Sequence, residues 1–101
     1  MKINNIFENL TYSINKEIVK DIYNSENVEI KTIASQAQTT DWLSDERSEV
    51  AILLEGEATI EFLDYDIKLK KGDTIYIAPR ILHRVINQSP KGLWLGIYFN
   101  Q

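Results

Sequence analysis

From residue 28 onward the sequence alternates between apolar and polar side chains with a period of two, and turn residues interrupt it at intervals of roughly ten residues. The stretch 28–32, Val-Glu-Ile-Lys-Thr, has the pattern of a half-buried strand. The stretch 49–54, Glu-Val-Ala-Ile-Leu-Leu, is almost continuously apolar, which is typical of a central strand covered on both faces. About six or seven strands at this spacing predict an all-β sandwich or barrel.

The segment 15–23 does not follow this alternation. Apolar residues fall at positions 18, 19, 22 and 23, with charged residues between them, and this spacing gives one apolar face on a helix. Ser13 or Asn15 can cap the start of such a helix, and Asn24 can end it. We therefore predict a short N-terminal helix within an extension, residues 1–26, that packs on a barrel formed by residues 27–101.

Composition limits the class of protein. The 101 residues suffice for one domain with one modest core. The absence of cysteine excludes disulfides, thiolate metal ligands and a cysteine nucleophile, and it fits a reducing compartment. The net charge of −4 and the scattered basic residues argue against a nucleic-acid partner. Because no stretch has the pattern of a signal peptide or a membrane span, we expect a soluble cytoplasmic protein with no membrane partner.

The only histidine, His83, lies in a segment, 72–87, that contains a turn, a short apolar strand, a second turn and a second strand. This segment resembles the second sequence motif of the cupin superfamily, Gly-x5-Pro-x-Gly-x2-His-x3-Asn. Gly72, His83 and Asn87 match that motif in register, whereas Pro79 lies one residue late and Arg80 occupies the second glycine position.

Upstream, Glu49 and Gly56 match the end of the first cupin motif, Gly-x5-His-x-His-x3,4-Glu-x6-Gly. The chain is therefore identified as a small single-domain member of the cupin superfamily. The resemblance implies a double-stranded β-helix, or jelly-roll barrel, with a cavity between its two sheets. It also implies a divalent-metal site formed by the two histidines and the glutamate of the first motif and by the histidine of the second.

The first motif is degenerate, because residues 42–48 are Trp-Leu-Ser-Asp-Glu-Arg-Ser and contain no histidine. Glu49 and His83 are the family ligands that remain. Asp45 falls on the position of the second histidine, so Asp45, Glu49 and His83 could together bind Mn²⁺, Fe²⁺ or Mg²⁺ through an oxygen-rich ligand set. The alternative is that Asp45 belongs to a solvated acidic loop and that no metal binds.

Without a metal, His83 and Glu49 remain candidate catalytic residues. If both side chains point into the barrel, the carboxylate would fix the imidazole tautomer, and the pair could act as general base or acid on a small carbonyl compound or sugar. Alternatively, they form a buried hydrogen-bonded pair whose only role is to satisfy each other's polar groups in the interior.

Four further side chains are candidates for substrate binding. Arg80, at the mouth of the predicted pocket, could clamp a carboxylate or phosphate, or it could be solvated or paired with an acid. Trp42 could line the cavity or cover its opening, and Gln38 could reach the pocket as a neutral polar group. Tyr76 lies on a predicted strand, where an aromatic residue more often packs in the core or in an interface.

These features favour a small-molecule-binding cupin with an unassigned substrate, whose pocket surrounds His83 and Glu49, with or without a metal. Whether it is an enzyme stays open, because one fold hosts many reactions. The alternatives are a non-catalytic ligand-sensing module, which would need a partner protein since the chain has no helix-turn-helix, and a homodimeric interaction module. The apolar last segment, 93–99, could supply the contact of a homodimer.

Overall fold

The computed structural model describes residues 1–101 and consists of two antiparallel β-sheets. Its strands are β1 Ile18–Asn24, β2 Val28–Ser35, β3 Ser48–Glu55, β4 Glu57–Phe62, β5 Asp66–Lys70, β6 Thr74–Ile77, β7 His83–Asn87 and β8 Gly92–Phe99. The larger sheet has the order β1-β2-β8-β3-β6, and the smaller has the order β5-β4-β7. The predicted all-β fold is confirmed. The chain forms no helix that could cross a membrane.

The two sheets face each other, and their inner faces form the core. Ala51, Leu53, Ile60 and Trp94 belong to one apolar cluster, and each is at most 5% exposed. Successive side chains along a strand point to opposite faces of a sheet, so the period of two in the sequence becomes one inner apolar face. Removal of this surface from water stabilises the packing of the sheets.

The predicted N-terminal helix is wrong, because residues 18–24 form β1, the edge strand of the larger sheet. β1 pairs with β2, and a bulge between Asp21 and Tyr23 adds Ile22 to the strand. The extra residue interrupts the alternation of apolar and polar side chains along the strand. The apolar residues at 18, 19, 22 and 23 therefore have the spacing of one face of a helix. Val19, Ile22 and Tyr23 are each about half exposed, so no core imposes a period of two here. The segment 1–26 therefore contributes a strand to the sheet instead of a packed helix.

The connection between β2 and β3 runs beside β7 and extends the smaller sheet. Bridges join Thr39 to Ile86 and Leu43 to His83. This placement brings side chains of the connection against the space between the two sheets.

The two motif glycines occupy turns that require glycine. Gly56 has a φ of 93° and Gly72 a φ of 92°, a region that L side chains rarely adopt. A Cβ atom at Gly56 would also lie 3.1 Å from the carbonyl oxygen of Lys91. The glycine spacing that suggested the family is therefore a consequence of turn geometry.

Candidate functional site

A cavity of about 220 Å³ lies between the two sheets, and its wall is mainly apolar. Inward-facing positions of β2, β3 and β8 form one side, and β4, β7 and the connection before β3 contribute to the other. The polar or charged side chains that line it are Glu17, Lys31, Thr40, Ser44, Asp45, Glu49, His83 and Tyr98. The structure therefore brings the three predicted residues Asp45, Glu49 and His83 to one cavity.

His83 is the first residue of β7 and is 5% exposed. Its Nδ1 atom lies 2.9 Å from the carbonyl oxygen of Ile81. Since a carbonyl oxygen can only accept a hydrogen bond, Nδ1 carries a hydrogen and donates it. A backbone carbonyl therefore sets the tautomer, where the sequence had suggested the Glu49 carboxylate. In the neutral ring this leaves Nε2 as an acceptor.

Nε2 of His83 faces Oε1 of Glu49 across 3.9 Å, which is longer than a direct hydrogen bond. The Glu49 side chain is 13% exposed. Burial raises the pKa of Glu49, and the neighbouring His83 and Tyr98 side chains oppose this rise. Two acceptors thus face each other in the cavity wall, and either a shared proton or a donor placed between them would satisfy both.

Tyr98 completes this end of the cavity. It is the cross-strand partner of Glu49, so both side chains point inward, and its hydroxyl lies beside the Glu49 carboxylate. Burial and the neighbouring carboxylate raise the pKa of Tyr98, which keeps the phenol a donor at neutral pH. Gly96 leaves room for the ring, because a Cβ atom there would lie 2.9 Å from Cε1 of Tyr98.

Asp45 points toward the cavity but is held by Arg47. The Asp45 carboxylate accepts hydrogen bonds from the Arg47 backbone N–H at 2.8 Å and from two guanidinium nitrogens at 3.0 Å each. These bonds hold the pKa of Asp45 below its ordinary value. Arg47 also lies 3.2 Å from Glu29, so the guanidinium joins two carboxylates.

This donor set does not fit a divalent metal. Both carboxylate oxygens of Asp45 already accept from Arg47, which leaves Glu49 and His83 as two ligands. No three His, Asp or Glu side chains are placed to hold a metal ion together. A metal that used Asp45 would have to compete with a guanidinium of the same charge sign. Metal binding by Asp45, Glu49 and His83 stays a prediction.

A second buried polar group lies at the other end of β7. Asn87 accepts a hydrogen bond at 2.8 Å from the indole N–H of Trp94. Its amide nitrogen donates to Glu17 at 3.2 Å and to the carbonyl oxygen of Gln38 at 3.0 Å. The motif asparagine therefore connects three segments and fixes Glu17 at the cavity wall.

Glu17 is a cavity residue that the sequence did not suggest. Burial raises its pKa, and the hydrogen bond from Asn87 partly opposes the rise. Asn87 and His83 are separated by four positions on β7, so the ends marked by Glu17 and Glu49 lie roughly 13 Å apart along the strand.

Arg80 and Trp42, two candidates for substrate binding, do not line the cavity. The Arg80 side chain is 69% exposed and lies 3.3 Å from Glu46. Arg80 also has a φ of 61°, so this residue, at a glycine position of the motif, adopts the left-handed conformation that favours glycine. Trp42 is 40% exposed, and the guanidinium of Arg84 lies 4.8 Å from the centre of its ring.

Gln38 and Tyr76 also lie outside the cavity wall. The Gln38 side chain accepts a hydrogen bond from the backbone N–H of Gln36 and donates one to the carbonyl oxygen of Ser13, so it fixes the N-terminal segment. Tyr76 pairs with Val50 on the outer side of the larger sheet, and its hydroxyl lies 3.0 Å from that of Ser48.

The sequence pattern did not single out Lys31, Glu17 or Tyr98 as site residues. For Tyr98 a usable signal exists, because it alternates with Gly96 and Trp94 on the apolar last segment, and Trp94 is a core residue. Lys31 follows the same alternation on β2. No signal existed for Glu17, which lies before a strand that resembled a helix.

We expect Glu17 to make the stability of the fold depend on pH. Because burial raises its pKa in the folded state, its contribution to stability is complete below the unfolded pKa and is lost as pH rises through the folded pKa. Glu17→Gln should therefore raise the melting temperature more at about pH 7 than at about pH 4. Thermal melts across this range test the prediction, with the exposed Glu26→Gln as the control. An equal shift at both pH values would contradict it.

Several solved structures share this fold. A Ralstonia eutropha protein described as a candidate mannose-6-phosphate isomerase has 20% identity and a TM-score of 0.91, with 100% of each chain covered. An RmlC-like cupin protein from Desulfovibrio desulfuricans has 22% identity and a TM-score of 0.82, covering 97% of this chain and 96% of that one. A cupin superfamily protein from Desulfitobacterium hafniense has 18% identity and a TM-score of 0.83, covering 91% and 84%. Such likenesses show the fold alone.

The family is shown by the sequence itself. Residues 30–95 match the family model described as Cupin domain, and this range contains both motif segments. No match was found among curated proteins. Because the family match spans more than half of the chain, the protein belongs to the cupin family.

Proposed function

We propose that the cavity binds a small molecule through the facing pair Glu49 and His83. The observation that carries this proposal is the 3.9 Å separation between Glu49 Oε1 and His83 Nε2, with both side chains buried in the cavity wall. An unsatisfied buried polar group costs about 1–3 kcal/mol, and polar groups that serve only the interior are normally paired. Glu49 and His83 face the cavity without a direct hydrogen bond to each other, so a bound molecule could donate hydrogens to both groups.

The cavity limits the size of the bound molecule. An engineered cavity of about 150 Å³ holds benzene. By proportion, a cavity of about 220 Å³ accommodates on the order of nine non-hydrogen atoms. Ile33, Ile60 and Val85 line the cavity, so the middle of the molecule would contact apolar walls. We therefore propose a small metabolite with at least one polar end.

The same pair supports proton transfer to or from the bound molecule. Burial raises the pKa of the Glu49 carboxyl toward the range in which a general acid or base operates. The hydrogen bond from Nδ1 of His83 to Ile81 directs Nε2 toward Glu49. If the protein is an enzyme, acid–base chemistry on a small substrate is the reaction type that this arrangement supports.

Binding should depend on both members of the pair. We expect a ligand identified by a thermal-shift screen to lose affinity roughly tenfold or more in Glu49→Gln and in His83→Gln, because each change removes an ionic or acceptor contact. Calorimetric dissociation constants for the two variants and for the exposed Glu26→Gln control test this. A ligand with unchanged affinity in both variants would bind elsewhere.

We propose that this binding needs no metal. The support is the Arg47 guanidinium, which takes the carboxylate that the metal would require. A calorimetric titration with Mn²⁺ or Zn²⁺ should show no micromolar binding to the natural protein. Arg47→Ala should increase the metal affinity by freeing Asp45, whereas Arg80→Ala, a control on the exposed Arg80–Glu46 pair, should not. Micromolar binding by the natural protein would contradict the proposal.

A homodimer is a second candidate role, and the outer face of the larger sheet supports it. On β2, β8 and the first half of β3, the residues that point away from the cavity carry no charge. Leu93 at one end of this face is buried, and the other large apolar side chains are partly exposed: Val28, Ile30, Val50, Ile52, Leu95, Ile97 and Phe99. A second copy of the same face would cover this surface through a two-fold contact.

We expect the natural protein to be a dimer at high micromolar concentration and Ile97→Glu to be a monomer, because a charge would be buried in the contact. Light scattering after size exclusion measures the mass of each. Leu63→Glu places the same charge at a position that is 73% exposed and should leave the dimer intact. A monomeric natural protein would exclude this role.

A further inference from the structure

At the Glu49 end of the cavity, the two groups that face each other without a direct hydrogen bond are acceptors. The indole N–H of Trp94 is donated to Asn87, and the hydroxyl of Thr40 is donated to the carbonyl oxygen of Asp41. The Tyr98 hydroxyl lies beside the Glu49 carboxylate. The Ser44 hydroxyl in the wall can donate as well as accept. Nε2 of His83, whose side chain is 6% exposed, and the carboxylate oxygens that it faces can only accept.

The cations around the cavity are already paired. Arg47 joins Asp45 and Glu29, and the Lys31 ammonium lies 3.8 Å from Glu29 and 4.7 Å from the centre of the Tyr98 ring. Glu49 has only His83 within ion-pair distance. Glu17 receives a neutral amide hydrogen bond from Asn87. After these pairings, the carboxylates of Glu17 and Glu49 are the charges left for a ligand.

From this balance we propose that the cavity selects a small organic ammonium compound, with its N–H groups donated to Glu49 and to Nε2 of His83 and its apolar body between the sheets. The inference rests on the proposed function and names the chemical class of its ligand. An ammonium group has three donors and no acceptor, so it complements a site of acceptors. The ring of Trp94 lies toward the Asn87 end of the cavity, where it would contact the apolar body of the ligand.

Other ligand classes complement the site less well. A carboxylate or phosphate group would bring further negative charge to a cavity that contains Glu17 and Glu49, and its single lining lysine, Lys31, is beside Glu29. A phosphorylated sugar is therefore not the ligand that these charges favour, although the Ralstonia eutropha protein carries the name of a sugar-phosphate isomerase. A single hydroxyl has one hydrogen to donate, and the site presents two facing acceptors.

Three probes with one ring and different head groups test the proposal: benzylamine, benzyl alcohol and benzoate. Dissociation constants are measured at neutral pH by calorimetry and by ligand-detected NMR. We expect benzylamine to bind roughly tenfold or more tightly than benzyl alcohol, and benzoate not to bind. Glu49→Gln should remove the preference for the amine, and Glu26→Gln should preserve it. Melting curves establish that each variant is folded.

The possible outcomes separate this inference from the proposed function. If benzyl alcohol or benzoate binds as tightly as benzylamine and loses affinity in Glu49→Gln and His83→Gln, the cavity is a binding site but the ammonium inference is overturned. If benzylamine binds equally well to Glu49→Gln, the carboxylate does not recognise the cation and the inference is also overturned. If benzylamine does not bind at millimolar concentration, the ammonium inference is overturned but the proposed function is not. The proposed function is tested separately, by the affinity of ligands from the thermal-shift screen for Glu49→Gln and His83→Gln.

Discussion

The pairing of β8 with β2 on one side and with β3 on the other determines how the rest of the molecule is arranged. Both registers run without interruption from Phe99 to Trp94, so side chains at the same level of the three strands share a face. One face consequently carries Tyr98, Glu49 and Trp94 into the cavity, and the opposite face presents apolar side chains outward. A shift by one residue in either register would exchange these two faces and abolish the site.

The parts of the fold that could be predicted are those that burial or turn geometry imposes on the sequence. Central strands alternate because one face meets the core, and Gly56 and Gly72 are fixed by positive φ. β1 could not be predicted in the same way. It lies at the edge of the sheet, its side chains are largely exposed, and the bulge at Ile22 removes the alternation. The edge strand therefore resembled a helix, since neither the core nor a regular register constrained its pattern.

Candidate site residues could be predicted only where strand periodicity decides to which face of the sheet a side chain points. His83 and Glu49 lie on strands, and both side chains line the cavity, which was the condition for their predicted pairing. Arg80, Trp42 and Gln38 lie outside strands, where side-chain direction depends on local hydrogen bonds and ion pairs that the sequence does not reveal. Asp45 shows the difference most clearly. It reaches the cavity as expected, yet an arginine two residues later binds its carboxylate, and this contact is specific to the conformation of one turn.

The charges near the cavity explain why one carboxylate stays available while another does not. Each charge in one partly exposed network has a neighbour of opposite sign, and this network consists of Asp45, Arg47, Glu29 and Lys31. Glu49 is more deeply buried, and His83 is the one cationic or titratable base within ion-pair distance of it, at 3.9 Å. A buried charge without a close partner destabilises a fold, and this cost is the physical basis of the ligand-binding role proposed for Glu49. Arg47 binds the carboxylate of Asp45, the residue at the position of the second histidine of the first cupin motif. The proposed chemistry of the cavity therefore rests on Glu49 and His83.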